Sequence, residues 1–181
     1  MSEEHLDREY VERCLGGDLD AFGMLIDRYQ APVFRIVLNM VGNYEDAKEV
    51  LQQVFMKAFE HLASFDRDRR FFSWIYRMAV NESINHIRAR RPVEPLTDEA
   101  RGALWDPARS FEERERDRRV RDAVTGLNEI YRPVVILRHF AHCSYTEIAE
   151  VLNLPEKTVK SRLFTARQLL RDALTADGHV N

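Results

Sequence analysis

The sequence predicts an all-α fold. Apolar residues recur at helical spacing along most of the chain, no stretch alternates with period two, and the Gly, Pro and Asn residues fall mainly between the periodic stretches. This pattern gives six or seven helices in two units: residues 1–91 as an N-terminal helical bundle, 92–115 as a flexible linker and 116–181 as a C-terminal helix-turn-helix domain.

The first helix ends at Gly16-Gly17, and Asp18 caps a second that turns Phe22, Leu25, Ile26 and Tyr29 toward a core. Pro32 is expected to kink or interrupt that helix. A third runs from near Asn43 to about Leu62, with Ala47, Val50, Leu51, Val54, Phe55, Ala58 and Phe59 in one apolar stripe and Lys48, Gln52 and Lys57 opposite. A charged loop, 65–70, leads to a fourth from about Phe72 to Arg90, aromatic early and basic late. Pro92, Pro95, Gly102 and Pro107 then break up 92–110, the expected domain boundary. Residues 111–124 alternate Arg and Glu as a solvated helix does. A support helix is expected over 128–140, with Pro133 in its first turn and Val134, Val135, Leu137 and Phe140 inward.

Two short helices follow. Ser144-Tyr145-Thr146-Glu147 has capping-box form and opens one in which Ile148, Ala149 and Leu152 face inward, up to Asn153-Leu154-Pro155. In the next, Val159, Leu163, Ala166 and Leu170 share a face, leaving Lys157, Thr158, Lys160, Ser161, Arg162 and Thr165 opposite. A tight turn between two such helices, with a basic polar face on the second, fits a helix-turn-helix whose second helix enters the DNA major groove.

The formal net charge of −3 argues against nucleic acid only until its distribution is read. Residues 1–66 carry 6 basic and 13 acidic groups, whereas 67–91 carry 7 basic and 2 acidic. Within 156–171 there are 5 basic residues and 1 acidic. Two separated basic stretches make two footprints for a polyanion, and the acidic front fits a basic protein partner. In the first basic stretch Phe71, Phe72, Trp74, Ile75 and Tyr76 precede Arg77, Asn81, Asn85, Arg88, Arg90 and Arg91. Exposed aromatics there would stack on unpaired bases, cations would hold phosphates, and Asn amides would reach base edges. Buried ones would be core positions of an amphipathic helix.

Other chemistries find little footing. His139, His142 and Cys143 match no common zinc spacing and lack a fourth ligand, so no metal and no cofactor is expected. There is no Gly-rich phosphate loop, nucleophile elbow or His-Glu-x-x-His helix, so an enzymatic role is not expected. Cys14 and Cys143 are read as reduced thiols. No apolar run approaches the roughly 20 residues that cross a bilayer, and the N-terminus lacks a basic, hydrophobic signal, so a cytoplasmic protein without membrane insertion is expected.

The run Phe72-Ser73-Trp74-Ile75-Tyr76-Arg77-Met78-Ala79-Val80-Asn81 with Asn85, Ile87, Arg88 and Arg91, the segment 46–55, and the pair 144–149 and 158–167 together resemble the extracytoplasmic-function sigma factors of the sigma-70 family over nearly the whole chain. The resemblance implies a factor that binds core RNA polymerase and directs transcription initiation at promoters. Asp46, Glu49, Gln52, Gln53 and Phe55 would meet the β′ clamp helices, and the C-terminal domain would touch the β flap as well as DNA. Phe71, Trp74, Arg77, Asn81, Asn85, Arg88 and Arg91 would serve the −10 element, with the loop before Phe72 helping to hold a flipped base. Lys157, Thr158, Lys160, Ser161, Arg162, Phe164 and Arg167 would lie on the −35 element. A cognate anti-sigma factor is implied as inhibitor. The chain departs from the family pattern at Lys48 and Gln53, where acids are usual, at Asn128 for Pro, at Lys157 for Gly and at Thr165 for a basic residue. Without the resemblance, a repressor or activator binding paired operator half-sites, or a helical adaptor for other proteins, would also fit the residues.

Overall fold

Eight α-helices and one short 3-10 turn make up residues 3–89 and 111–177, the part of the chain that the computed structural model describes, with no strand among the described residues. They are α1 (Glu3–Leu15), α2 (Leu19–Val41), α3 (Tyr44–His61), α4 (Phe71–Ala89), α5 (Phe111–Gly126), α6 (Arg132–His139), α7 (Tyr145–Leu152) and α8 (Glu156–Asp177), with the 3-10 turn Leu62–Ser64 after α3. The expected domain-boundary stretch, up to residue 110, lies outside the described residues, and the last residues assigned to the linker are already in α5.

Local chemistry sets the breaks. Asp18 accepts the Ala21 amide at 3.4 Å as N-cap of α2, and Arg13 at 2.8 Å keeps its carboxyl below the usual range. Gly42 ends α2 in the left-handed region at φ 77°, its amide donating to the Leu38 carbonyl. A Cβ at residue 42 would stand 3.0 Å from Cγ2 of Thr125 on α5. Asn43 then caps α3 through the Asp46 amide at 3.0 Å.

Pro32 does not interrupt α2, one of the two outcomes expected of it. The ring removes one ladder bond and crowds the Arg28 carbonyl, a cost of about 3 kcal/mol. Tyr29 and Val33, Ile36 and Val37 are buried on either side of it. At roughly 1.5–3 kcal/mol for each apolar side chain removed from water, packing outweighs the lost bond.

α2 is the central element of the N-terminal bundle, packed against α1, α3 and α4. Leu25, Ile36 and Met40 meet a core built also from Val50, Val54, Ile75 and Ala79. One buried polar group ties α1 down: Asp7 accepts the Tyr29 hydroxyl at 2.5 Å and pairs with Arg28 at 3.1 Å. Burial, with that hydrogen bond, pushes the Tyr29 hydroxyl far above its ordinary pKa.

In the C-terminal half, α6 carries Pro133 in its first turn and buries Val134, Val135, Ile136 and Leu137. It starts later than expected, because the Asn128 side chain takes the Ile130 and Tyr131 amides and makes a turn of the preceding residues. Residues 116–120 of α5 are exposed as expected, while Val124 near its end and Leu127 just after it are buried.

Cys14 and Cys143 are both buried and unpaired with each other. Burial pushes the Cys143 thiol up to about 12 and also raises Cys14. At neutral pH neither should react with an aromatic disulfide reagent within minutes, and both should titrate once the chain is unfolded; fast labelling of the folded protein would contradict this placement.

The two halves are not held apart. α2 touches α5 and α6, and α4 touches α7. Arg132 is one tie, its guanidinium donating to the carbonyls of Leu127 at 2.8 Å and Thr125 in its own half and of Met40 at 2.8 Å in the other, so that it joins the end of α2 to the α5–α6 turn.

Candidate nucleic-acid interface

The helix-turn-helix forms as its sequence predicts. Ser144 accepts the Glu147 amide at 3.2 Å while the Glu147 carboxylate accepts the Ser144 amide at 2.7 Å, completing the capping box of α7. Asn153 makes the turn in the left-handed region at φ 53°. Ile148 and Val151 are the fully buried residues of α7, with Ala149 and Leu152 half-buried beside them. α8 docks through Val159, Leu163 and Ala166.

That docking fixes what α8 turns outward. Lys157, Lys160, Ser161, Phe164 and Arg167 are exposed, and Thr158 and Arg162 are half-buried at the flanks. Phe164 is 63% exposed, unusual for an aromatic ring on a folded domain. Lys160 is engaged within the motif: its ammonium lies 2.6 Å from Glu156 and 5.8 Å from the Tyr145 ring centre. Glu156 also accepts the Thr146 hydroxyl at 3.2 Å, and Lys160 chiefly holds its carboxyl below the usual range. A phosphate arriving at Lys160 would therefore meet the repulsion of a neighbouring carboxylate.

On α4 the expected residues divide. Asn81, Asn85 and Arg88 are exposed and follow one another at spacings of one turn, a row of two amides and a guanidinium on one helix face. Phe71 is buried, and Trp74 is half-buried with its ring 5.1 Å from Phe65 and 5.5 Å from Phe71. Their spacing of three residues puts them on the inward face, so the aromatic cluster is largely core: the Phe71 ring is not presented for base stacking, and the Trp74 ring only in part. Arg91 lies outside the described residues.

Arg77 and Arg88 already have partners in the other half of the chain. Arg77 donates to the Glu150 and Val151 carbonyls at 2.6 and 2.8 Å, and burial lowers its pKa. Arg88 makes a two-pronged pair with Glu129 at 2.8 and 2.7 Å. Arg70, in the loop before α4, pairs with Glu150, stands 3.7 Å from Glu147 and 3.6 Å from Glu4, and stacks on the Phe72 ring. Sequence reasoning singled out neither Arg70 nor Arg132 as individual residues; an arginine flanking an aromatic run was the available signal for the first. Between the loop and α1 lies a small cleft of about 100 Å³ whose rim includes Arg8, Glu12, Arg67 and Arg69.

A third surface runs along α3. Glu49 and Gln52 are exposed, Phe55 and Gln53 are half-buried, and the Gln53 amide donates to Glu49 at 3.4 Å. Asp46 points the other way: it is 8% exposed and stands 3.6 Å from His86 of α4. Lys48 is offset by Glu45 at 3.0 Å, which limits its effect on the charge of this face. Met56 and Phe59 extend the row begun by Glu49 and Gln52 and are 55% and 46% exposed. The ring of Phe59 meets Phe22 of α2 edge-on at 5.0 Å, one turn from exposed Leu19. Helical periodicity had placed Phe59 in the core stripe, whereas it sits on the stripe's open edge.

Comparison with known proteins matches both halves. Residues 25–93 match the Sigma-70 region 2 family and residues 117–170 the Sigma-70, region 4 family. The chain is 34% identical to the RNA polymerase sigma-H factor of Pseudomonas aeruginosa over 96% of each protein. It is 36% identical to the ECF RNA polymerase sigma-E factor of Escherichia coli K12, covering 94% of this chain and 95% of that one. Among solved structures, CnrH in complex with the cytosolic domain of CnrY superposes with a TM-score of 0.74 at 27% identity, over 95% of this chain and 99% of that one. With both matches, the helical bundle and the helix-turn-helix are the two parts of a promoter-reading class of protein. The chain belongs to the sigma-70 family, in its extracytoplasmic-function group.

Proposed function

We propose that this protein binds core RNA polymerase and directs promoter-specific transcription initiation, with α3 facing the β′ clamp helices, α4 serving the −10 element and α8 the −35 element. The observation that carries it is the outward face of α8, a capped helix-turn-helix presenting Lys157, Lys160, Ser161, Phe164 and Arg167 on a chain that also matches the polymerase-binding family at its other end. Cations there would neutralise phosphates, Ser161 would donate to one, and the Phe164 ring would meet an apolar base edge such as a thymine methyl. Asn81 and Asn85 supply neutral donors and acceptors for bases of a separated strand. At the clamp, Glu49 and Gln52 with Met56 and Phe59 offer a polar edge beside an apolar one, and Asp46 acts inside the bundle. The domains are 1–91 and 116–181, joined by 92–115, and the C-terminal one also meets the β flap. The polymerase performs the chemistry and this chain contributes recognition, in the cytoplasm where polymerase works. A cognate anti-sigma factor holds it inactive; the complex of CnrH with the cytosolic domain of CnrY supports a protein inhibitor.

Run-off transcription from genomic fragments with purified core polymerase tests the reading. New defined transcripts should appear only when the protein is added. DNA binding without polymerase, at paired half-sites, would favour an operator-binding repressor instead.

A further inference from the structure

Arg70, just before α4, Arg77 within it and Arg88 near its end are the cations that would meet a single strand's phosphates in the −10 role given to α4, and all three are held by the C-terminal half. The groups that hold them are anionic or carry partial negative charge. The Glu150 and Val151 carbonyls belong to the last turn of α7, where unpaired carbonyls and the helix dipole concentrate negative potential. The Glu147 and Glu150 carboxylates add full charges beside them, and Glu129 adds a third further along. Burial works against ionising Glu150, yet the bond from Arg70 keeps its carboxyl below the ordinary range, and the same bond raises Arg70.

From this geometry we infer that the C-terminal turn of α7, with Glu147 and Glu150, is an internal stand-in for a nucleic-acid backbone that occupies Arg70 and Arg77 until the two halves separate, as Glu129 occupies Arg88. The inference rests on the −10 role given to α4 above. Arg70 and Arg77 each donate through Nε and Nη2, the forked edge that would grip a phosphate through two parallel bonds, so DNA competes with α7 for that edge. Since α7 is also the first helix of the helix-turn-helix, the contact restrains both reading surfaces at once. The apparent affinity for DNA is then the intrinsic affinity multiplied by the open fraction.

The test uses the full chain and a fluorescein-labelled 12-nucleotide single strand of mixed sequence, with anisotropy as readout at one fixed salt concentration. Glu150→Gln keeps the shape and removes the charge that Arg70 grips. It should raise affinity for the strand about tenfold, the effect of losing one charge-assisted contact from the closed state. It should also enlarge the radius of gyration in solution scattering from the value near 16 Å expected of a compact 181-residue chain. A second pair of variants guards against misfolding: Glu150→Arg alone should expand the chain, and Glu150→Arg combined with Arg70→Glu should compact it again. Unchanged affinity and size in Glu150→Gln, together with normal run-off transcription, would overturn the internal competitor and leave the sigma-factor reading standing. Failure of both wild type and variant to support transcription with core polymerase would sink both.

Discussion

Replacing Arg132 with alanine should lower the unfolding free energy by about 3–5 kcal/mol, the largest effect expected of any single charged residue here. Its side chain is more buried than its charge would favour, burial lowers its pKa, and its hydrogen-bond acceptors among the described residues are all main-chain carbonyls. What it satisfies are main-chain carbonyls of Met40, Thr125 and Leu127, at the end of α2 and around the α5–α6 turn. Truncation leaves these acceptors without their donor, at about 1–3 kcal/mol for each one that water cannot reach. Arg132→Lys should not restore the loss, because one ammonium cannot span carbonyls that a planar fork reaches together. Denaturant unfolding checks this, and in a thermal scan the midpoint should fall by roughly 10 °C. A change below about 1 kcal/mol would mean that the carbonyls rehydrate and that the tie between the halves is incidental.

Phe164→Ala should do the reverse, leaving stability within about 0.5 kcal/mol while reducing promoter-directed transcription tenfold or more. The ring is 63% exposed on α8, and the inward face of that helix is made by Val159, Leu163 and Ala166, so folding gains little from it. Its value is at the DNA, where an apolar contact at a base edge belongs to interactions worth about 1–3 kcal/mol of discrimination. Transcription with core polymerase at a responsive promoter, measured beside thermal unfolding, separates the two terms. Loss of both together would assign Phe164 to the fold, and loss of neither would take residue 164 off the −35 surface.

Much of the fold was legible because helical punctuation is local chemistry. The Asp18 cap, the helix start near Asn43 and the Ser144–Glu147 capping box depend on neighbours within four residues and were read from the sequence, whereas the Gly42 stop between two of them was passed over. Pro32 misled because its penalty is local while the packing that overrides it comes from three other helices. Phe71 and Trp74 misled for a related reason: residue type marks them as stackers, and only the bundle's geometry shows that their rings serve Phe65 and the core. Asp46 has the composition of a clamp residue but lies one helical step off the exposed row of Glu49, Gln52, Met56 and Phe59. The closed arrangement of the halves was not legible, since Arg77 meets Glu150 and Val151 across more than seventy residues and no periodicity encodes a contact of that range.

Gly42 joins two of these levels at a single hydrogen atom. The left-handed turn that stops α2 asks for a residue without a Cβ, and the same missing Cβ is the space into which the Thr125 methyl fits. Chain punctuation and inter-domain clearance are therefore written in one codon. A substitution there would strain the ending of the bundle's central helix and at the same time press on the Thr125 methyl of the promoter-reading half, which would have to give by a few tenths of an ångström.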